Sequence, residues 1–211
     1  MRIIIVKDYE ELSKKAANIL ASQITLKPNS VLGLATGSTP VGTYRELVSI
    51  YQKGDINFSE IVTYNLDEYY GLDKENQQSY YYFMMENLFK HVNINLSNIH
   101  IPDGRAENIG QECIAYENSI RQAGGIDLQV LGIGRNGHIG FNEPDVKFEA
   151  QTHLVTLDED TIEANSRFFA SMEEVPRQAI SMGIKTIMHS RKILLMASGE
   201  EKADTVYNMI N

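Results

Sequence analysis

Short apolar runs alternate with helical stripes along almost the whole chain, and no other feature constrains the fold as strongly. Residues 2–6 (RIIIV), 30–35 (SVLGLA), 60–66 (EIVTYNL), 98–101, 126–133 (IDLQVLGI), 153–157, 179–183 and 192–198 read as strands. Between them lie helix signals. Asp8 and Glu11 have the spacing of a capping box ahead of the stripe Tyr9, Leu12, Ala16 and Ile19. Thr39 and Pro40 read as an N-cap and first helical residue before a buried face of Tyr44, Leu47, Val48 and Tyr51. Helices are further expected over about 79–91 and 106–122, and from near Glu200. Strand–helix alternation of this kind predicts an α/β fold of the Rossmann-like, doubly wound type, with a mostly parallel sheet and helices on both faces. No repeat, low-complexity tract or linker divides the 211 residues, so a single domain over 1–211 is expected.

Charge and cysteine usage narrow the function classes. A net charge of −9 argues against a nucleic-acid or anionic-membrane partner. A small anionic substrate stays open, because it needs only a local cluster of donors. Cys113 is the single cysteine, so no intrachain disulfide can form; within a helical pattern it reads as a small buried side chain in a reducing compartment. The opening Met1-Arg2 and Ile/Val run is too brief for a signal peptide, and no stretch approaches a membrane span. The expectation is a soluble, cytoplasmic protein.

Ligands of open α/β sheets bind beyond the carboxyl ends of the strands, and the chemically loaded residues fall there. Thr36-Gly37-Ser38-Thr39 follows the second strand, Asp67-Glu68 the third, Asn136-Gly137-His138 through Glu143 the run 126–133, and Gly199 through Lys202 the last. One active site is the economical reading. The loop 36–39 offers backbone N–H groups, two hydroxyls and a helix N-terminus, which suits a phosphate; an ordinary strand-to-helix turn explains it equally well. Gly132, Gly134 and Gly137 match the dinucleotide pattern G-x-G-x-x-G, but Gly140 and Pro144 oppose the helix that this fingerprint requires, so a long loop is expected. In that loop His138 and Glu143 form a candidate proton-transfer pair, the carboxylate orienting the imidazole and raising its pKa. The five histidines are scattered without metal-ligand spacing.

Asp67, beside Glu68 and two tyrosines, is a candidate general base if partly desolvated; taken alone, a capping Asp or a solvated turn is the plainer reading. The run Tyr80–Phe83 reads as core packing. Arg167 lies in a segment without a clear strand pattern, about 158–175, which fits a lid carrying a phosphate-binding guanidinium or a solvent-exposed charge. Lys202 could meet a phosphate as a point charge.

Together the stretches LATGSTPVGTYREL, VTYNLDEYYGL, SYYYFM, LGIGRNGHIGFNEP, NSRFF and SGEEKA, in order across residues 31–203, with the N-terminal strand and helix fitting as well, make the sequence similar to the glucosamine-6-phosphate deaminase family. That resemblance implies ring opening, proton transfer from C2 to C1, and release of ammonia to leave fructose 6-phosphate. It assigns the C2 proton to Asp67, ring opening to His138 with Glu143 as carboxylate partner, and phosphate contacts to Gly37, Ser38, Thr39, Arg167 and Lys202. Thr36, Glu68 and Gly137 complete the expected substrate contacts. No metal or organic cofactor is implied, because proton transfers suffice.

The chain departs from the family in three places. Some members carry an aspartate where Asn136 stands, so the relay here should rest on His138 and Glu143. Hexameric members bind an activator, N-acetylglucosamine 6-phosphate, through basic residues; the matching positions are His153 and Val155, and Val146 replaces a serine of that site. A valine side chain holds no phosphate, so the expectation is a monomer or small homo-oligomer without that activation. Relatives also continue past the position of Asn211; either this chain is naturally short or a further segment lies beyond it. A 6-phosphogluconolactonase, a pentose-phosphate isomerase and a catalytically dead sugar-phosphate regulator are the alternatives. NLDEYYGL favours the deaminase over the first two, and the presence of Asp67, His138 and Glu143 over the third.

Overall fold

The structure is a computed structural model that describes residues 1–144, 149–166, 169 and 171–211. Val146 and Arg167 lie outside the described residues. In chain order the regular elements are α1 (Tyr9–Leu26), β1 (Val31–Leu34), α2 (Ser38–Gln52), β2 (Val62–Asn65), β3 (Asp67–Tyr69), α3 (Tyr80–Asn87), β4 (Ile99–His100), α4 (Ile109–Gln122), β5 (Leu128–Leu131), β6 (His153–Thr156), α5 (Glu159–Ser166), β7 (Gln178–Ser181), α6 (Ile184–Met188), β8 (Ile193–Leu195) and α7 (Ala203–Ile210).

Five strands form the main sheet in the order β4-β2-β1-β5-β8, with every pair parallel. From β1 the chain winds outward through α2 to β2 and β4, then returns through α4 to β5 on the other side of β1. Right-handed crossovers in opposite directions put α2 and α4 on opposite faces. The reversal between β1 and β5 opens the crevice in which such sheets hold ligands. Leu20, Ile24, Leu32, Leu34, Leu47, Ile61 and Val130 are buried in the main core. At the far edge Asp127 pins three elements: it accepts from Lys27 Nζ at 2.7 Å and from Val31 N at 2.8 Å, with Arg191 Nη1 3.4 Å away.

The N-cap half of the expected capping box is present, Asp8 Oδ1 accepting from Glu11 N at 2.8 Å, while the Glu11 carboxylate accepts from Lys7 N at 2.9 Å, one residue before the N-cap. Elsewhere three expectations change. The run 2–6 forms no strand, and Ile3, Ile4 and Ile5 are exposed. A strand exists only through bonds to a neighbouring edge, which an apolar run cannot specify. Helix α2 starts at Ser38, with Gly37 before it at φ 93°, so Thr39 is not its cap. The strands expected at 153–157 and 179–183 do not join the parallel sheet; with Asp67–Tyr69 they form a separate antiparallel sheet, β3-β7-β6.

Leu66 is the junction between the two sheets. Its N–H donates to Leu34 O at 3.0 Å, and its carbonyl accepts from Met182 N at 2.7 Å. The small sheet carries its own apolar cluster of Tyr69, Phe141, Leu157, Ile162, Val175 and Ala179. Ile162 of α5 and Val175 are both buried in this cluster.

Candidate active site

The carboxyl ends of β1, β2 and β5 converge as the sequence demanded. After β1, Thr36 and Thr39 are half-buried, whereas Gly37 and Ser38 are exposed at the N-terminus of α2. Two buttressing tyrosines hold this turn. Tyr44 donates to Ala35 O at 2.6 Å and accepts from Ala35 N at 3.2 Å. The Tyr9 hydroxyl accepts from Gly42 N at 2.9 Å and lies 2.9 Å from Ser38 O. Backbone amides and hydroxyls at a helix N-terminus are the elements of an anion cradle.

Asp67 begins β3, 5 % exposed. Burial pushes its carboxyl up to about 8, and the neighbouring Glu68 carboxylate adds to the shift. The desolvated carboxyl expected from the surrounding aromatics is therefore present. Glu68 points the other way. Its Oε1 accepts from Tyr69 N at 2.8 Å and Tyr80 N at 2.9 Å, and its Oε2 accepts from Tyr81 N at 2.9 Å. Ser79 Oγ takes the Tyr82 N–H at 3.0 Å. Three N–H groups of the first turn of α3 are thus satisfied by side chains. Burial raises Glu68 to about 7, partly offset by these N–H groups. Both of its oxygens are occupied within the protein, so Glu68 ties the start of α3 to β3.

The loop after β5 folds back at once. Gly134 N donates to His138 O at 2.9 Å, and Gly137 N to Gly134 O at 3.2 Å. No helix opens at these glycines, so the dinucleotide fingerprint is absent. Gly134 is required sterically, since a Cβ there would stand 2.4 Å from the His138 ring. His138 Nδ1 lies 3.7 Å from Glu143 Oε1, beyond hydrogen-bond length. Asn136 is closer to that carboxylate: its Nδ2 donates to Glu143 Oε2 at 2.6 Å, while its Oδ1 accepts from His138 N at 3.1 Å. The expected rise in the imidazole pKa does not occur. Burial pushes it down, Glu143 pulls it up by less, and Lys202 adds to the fall. His138 is therefore neutral near pH 7, able to accept a proton on one nitrogen and donate from the other.

Lys202, half-buried in the 3-10 turn Glu200–Lys202 after Gly199, lies close enough to His138 to act on its charge. Burial lowers its pKa; Glu201 opposes this and Arg135 reinforces it. Arg135 was missed by sequence reasoning, because only folding of the loop brings it near Lys202. Among the described residues no three His, Cys, Asp or Glu side chains are grouped to hold a metal ion, and no helix is long and apolar enough to cross a membrane.

Residues 7–211 match the model of the glucosamine-6-phosphate isomerases/6-phosphogluconolactonase family. The chain is 64 % identical over all 211 residues to a glucosamine-6-phosphate deaminase of Clostridium botulinum strain Langeland, covering 86 % of that protein. It is 62 % identical to one from Clostridium acetobutylicum, covering 88 % of it. Among solved structures, a monomeric glucosamine-6-phosphate deaminase superposes with a TM-score of 0.97 at 47 % identity, over 100 % of this chain and 87 % of that one. A 6-phosphogluconolactonase from Thermotoga maritima shares the fold at a TM-score of 0.73 and 19 % identity, over 99 % of this chain and 88 % of that one. The chain thus belongs to the family of glucosamine-6-phosphate isomerases and 6-phosphogluconolactonases, on the deaminase side of it.

Proposed function

We infer that the protein converts glucosamine 6-phosphate and water to fructose 6-phosphate and ammonia, in aminosugar catabolism. The observation that carries this reading is the juxtaposition of a desolvated carboxylate, Asp67, with a loop presenting a neutral imidazole, His138, in a chain 64 % identical to a protein of that activity. The phosphate is assigned to Gly37, Ser38, Thr39 and Lys202, with Thr36 and Gly137 against the sugar; Arg167 is assigned to the phosphate on the family match alone. A neutral His138 takes the proton of the anomeric hydroxyl and returns one to the ring oxygen, opening the ring. The ionised fraction of Asp67 removes the C2 proton and delivers it to C1, while a proton passes from the amine nitrogen to O1, leaving an imine at C2 and a hydroxyl at C1. Water adds to that carbon and the nitrogen leaves as ammonia, which balances the reaction without a redox step. Glu143, held by Asn136, stabilises the imidazolium form transiently.

The single-domain organisation, with 158–175 closing over the site, belongs to the same reading, as do a cytoplasmic location and a monomeric or small homo-oligomeric state. Val155 supports the absence of activation by N-acetylglucosamine 6-phosphate: it packs against the apolar cluster of the small sheet. His153, next to it, has its Nδ1 3.0 Å from Gln151 O. Incubation with glucosamine 6-phosphate and measurement of ammonia and fructose 6-phosphate test the assignment directly. Equimolar products are expected. A folded protein yielding neither, or one hydrolysing 6-phosphogluconolactone instead, overturns it.

A further inference from the structure

The base is covered by a turn. Gly140, at φ 60°, passes so close to Asp67 that a Cβ on it would stand 3.2 Å from Asp67 Oδ2 and 3.1 Å from Ser181 Oγ. The turn is closed by a bridge between Ile139 and Asn142, whose backbone bonds measure 3.2 and 3.0 Å. What holds it down is the end of β7. Ser181 Oγ accepts from Phe141 N at 3.1 Å and from Asn142 Nδ2 at 3.3 Å, and Asn142 Nδ2 also reaches Met182 O at 2.9 Å. Ser181 faces Asp67 directly across the antiparallel β3–β7 ladder and is fully buried. Asp67 is buried, and burial is the largest cause of its raised carboxyl.

We propose that Ser181 is a positioning residue for the base: its hydroxyl pins the turn 139–142 over Asp67 and keeps water from that carboxylate. The proposal rests on the assignment of Asp67 as the base of the proposed reaction. Removing the hydroxyl leaves the Phe141 N–H without its partner in a buried position, and the turn then lifts or admits water to satisfy it. Hydration favours the ionised carboxylate, so the proton affinity of Asp67 falls. The groups facing Asp67 leave this sign intact. Glu68 on its own strand stays bound to the N–H groups of α3, and Tyr44 from α2, Tyr80 from α3 and Tyr116 from α4 are neutral phenols held above their usual range. Gly140, Phe141 and Asn142 of the turn and Ser181 of β7 bring no titratable group.

The test is a carbon-13 carboxyl titration by NMR of wild type, S181A and S181T, with D67N identifying the Asp67 signal, alongside pH profiles of kcat/KM. In S181A the Asp67 ionisation is expected to move down by about one unit or more, on the order of tenfold in proton affinity. The acidic limb of the profile moves with it, and S181T restores both. If S181A does not fold, S181C, which keeps the volume with a weak donor and acceptor, is titrated in its place and is expected to shift the same way. An unchanged or raised Asp67 ionisation in a folded variant overturns the proposal. A wild type without deaminase activity would refute the reaction assignment instead, and the titration would still report on Ser181.

Discussion

The amide of Asn136 donates to Glu143 Oε2 at 2.6 Å, so the carboxylate that faces His138 is held from behind by a neutral group. Replacing Asn136 with Ala releases Glu143 and the His138 N–H together. A loss of one charge-assisted hydrogen bond, about 1.5–3 kcal/mol, corresponds to a roughly tenfold or greater fall in kcat, with KM less affected. Asn136→Asp places two carboxylates at a distance where both cannot ionise near neutral pH. That variant is expected to remain active but to show one additional ionisation in its pH–rate profile. An unaltered profile in N136D would mean that the two side chains do not meet during catalysis.

Asp67→Asn is expected to abolish measurable turnover while leaving the substrate-phosphate contacts in place. It should also stabilise the protein at alkaline pH. The folded-state carboxyl sits near 8, above its ordinary value of 3.8, so in wild type the folded state holds a proton that the unfolded chain releases. Its contribution to stability is therefore complete at low pH and is lost as pH rises from about 4 through 8. An amide has no such loss. Thermal melts at about pH 6 and 9 should show a wild-type decline that D67N lacks in part, by on the order of a few kcal/mol. Identical pH slopes for the two proteins would contradict the buried, raised carboxyl.

Glu68→Ala leaves the Tyr69, Tyr80 and Tyr81 N–H groups without their acceptor in a buried setting. Unsatisfied buried donors cost about 1–3 kcal/mol each, reduced where water can enter. A fall in Tm of several degrees is expected, together with lower kcat, since Asp67 is the adjacent residue. Calorimetry and steady-state kinetics on the same preparation check both.

Gly140→Ala is a probe of the turn over the base. The left-handed backbone and the tight approach to Ser181 and Asp67 both oppose a methyl group there. The expected outcome is at least a tenfold loss of kcat/KM with a smaller effect on Tm. Wild-type kinetics would show that the turn has room to move.

Asp127→Ala removes the acceptor shared by Lys27 and Val31, far from the crevice. Burial raises the Asp127 pKa, but Lys27, the Val31 N–H and Arg191 outweigh it and hold the carboxylate below its ordinary value. Its stabilisation is thus present above about pH 4 and is lost as pH falls through the lower folded-state value. The variant should melt lower than wild type at pH 7, by about 1–3 kcal/mol of stability, converge with it in acid, and keep its KM.

Local patterns carried most of the architecture. The Asp8 cap, the stripe in α1, the buried runs of β1, β2 and β5 and the placement of polar clusters at strand ends could all be read from spacing, because periodicity and capping are properties of neighbouring residues. The same rules placed Asp67, His138 and Glu143 at one edge, and the absence of a helix after Gly134 followed from Gly140 and Pro144. The exposed run 2–6, the second sheet and the roles of Ser181, Arg135 and Glu68 did not follow. Each depends on which edge, turn or helix end is brought alongside by residues far away in the chain. Even the sign of the His138 shift was decided there: sequence supplied the carboxylate partner, but burial of the ring outweighs it. The sequence by itself determined the α/β order and the chemical inventory of the site, since these are local. Only the tertiary structure decided how dry Asp67 is and what covers it, because desolvation is set by every atom packed around a group and by no single neighbour along the chain.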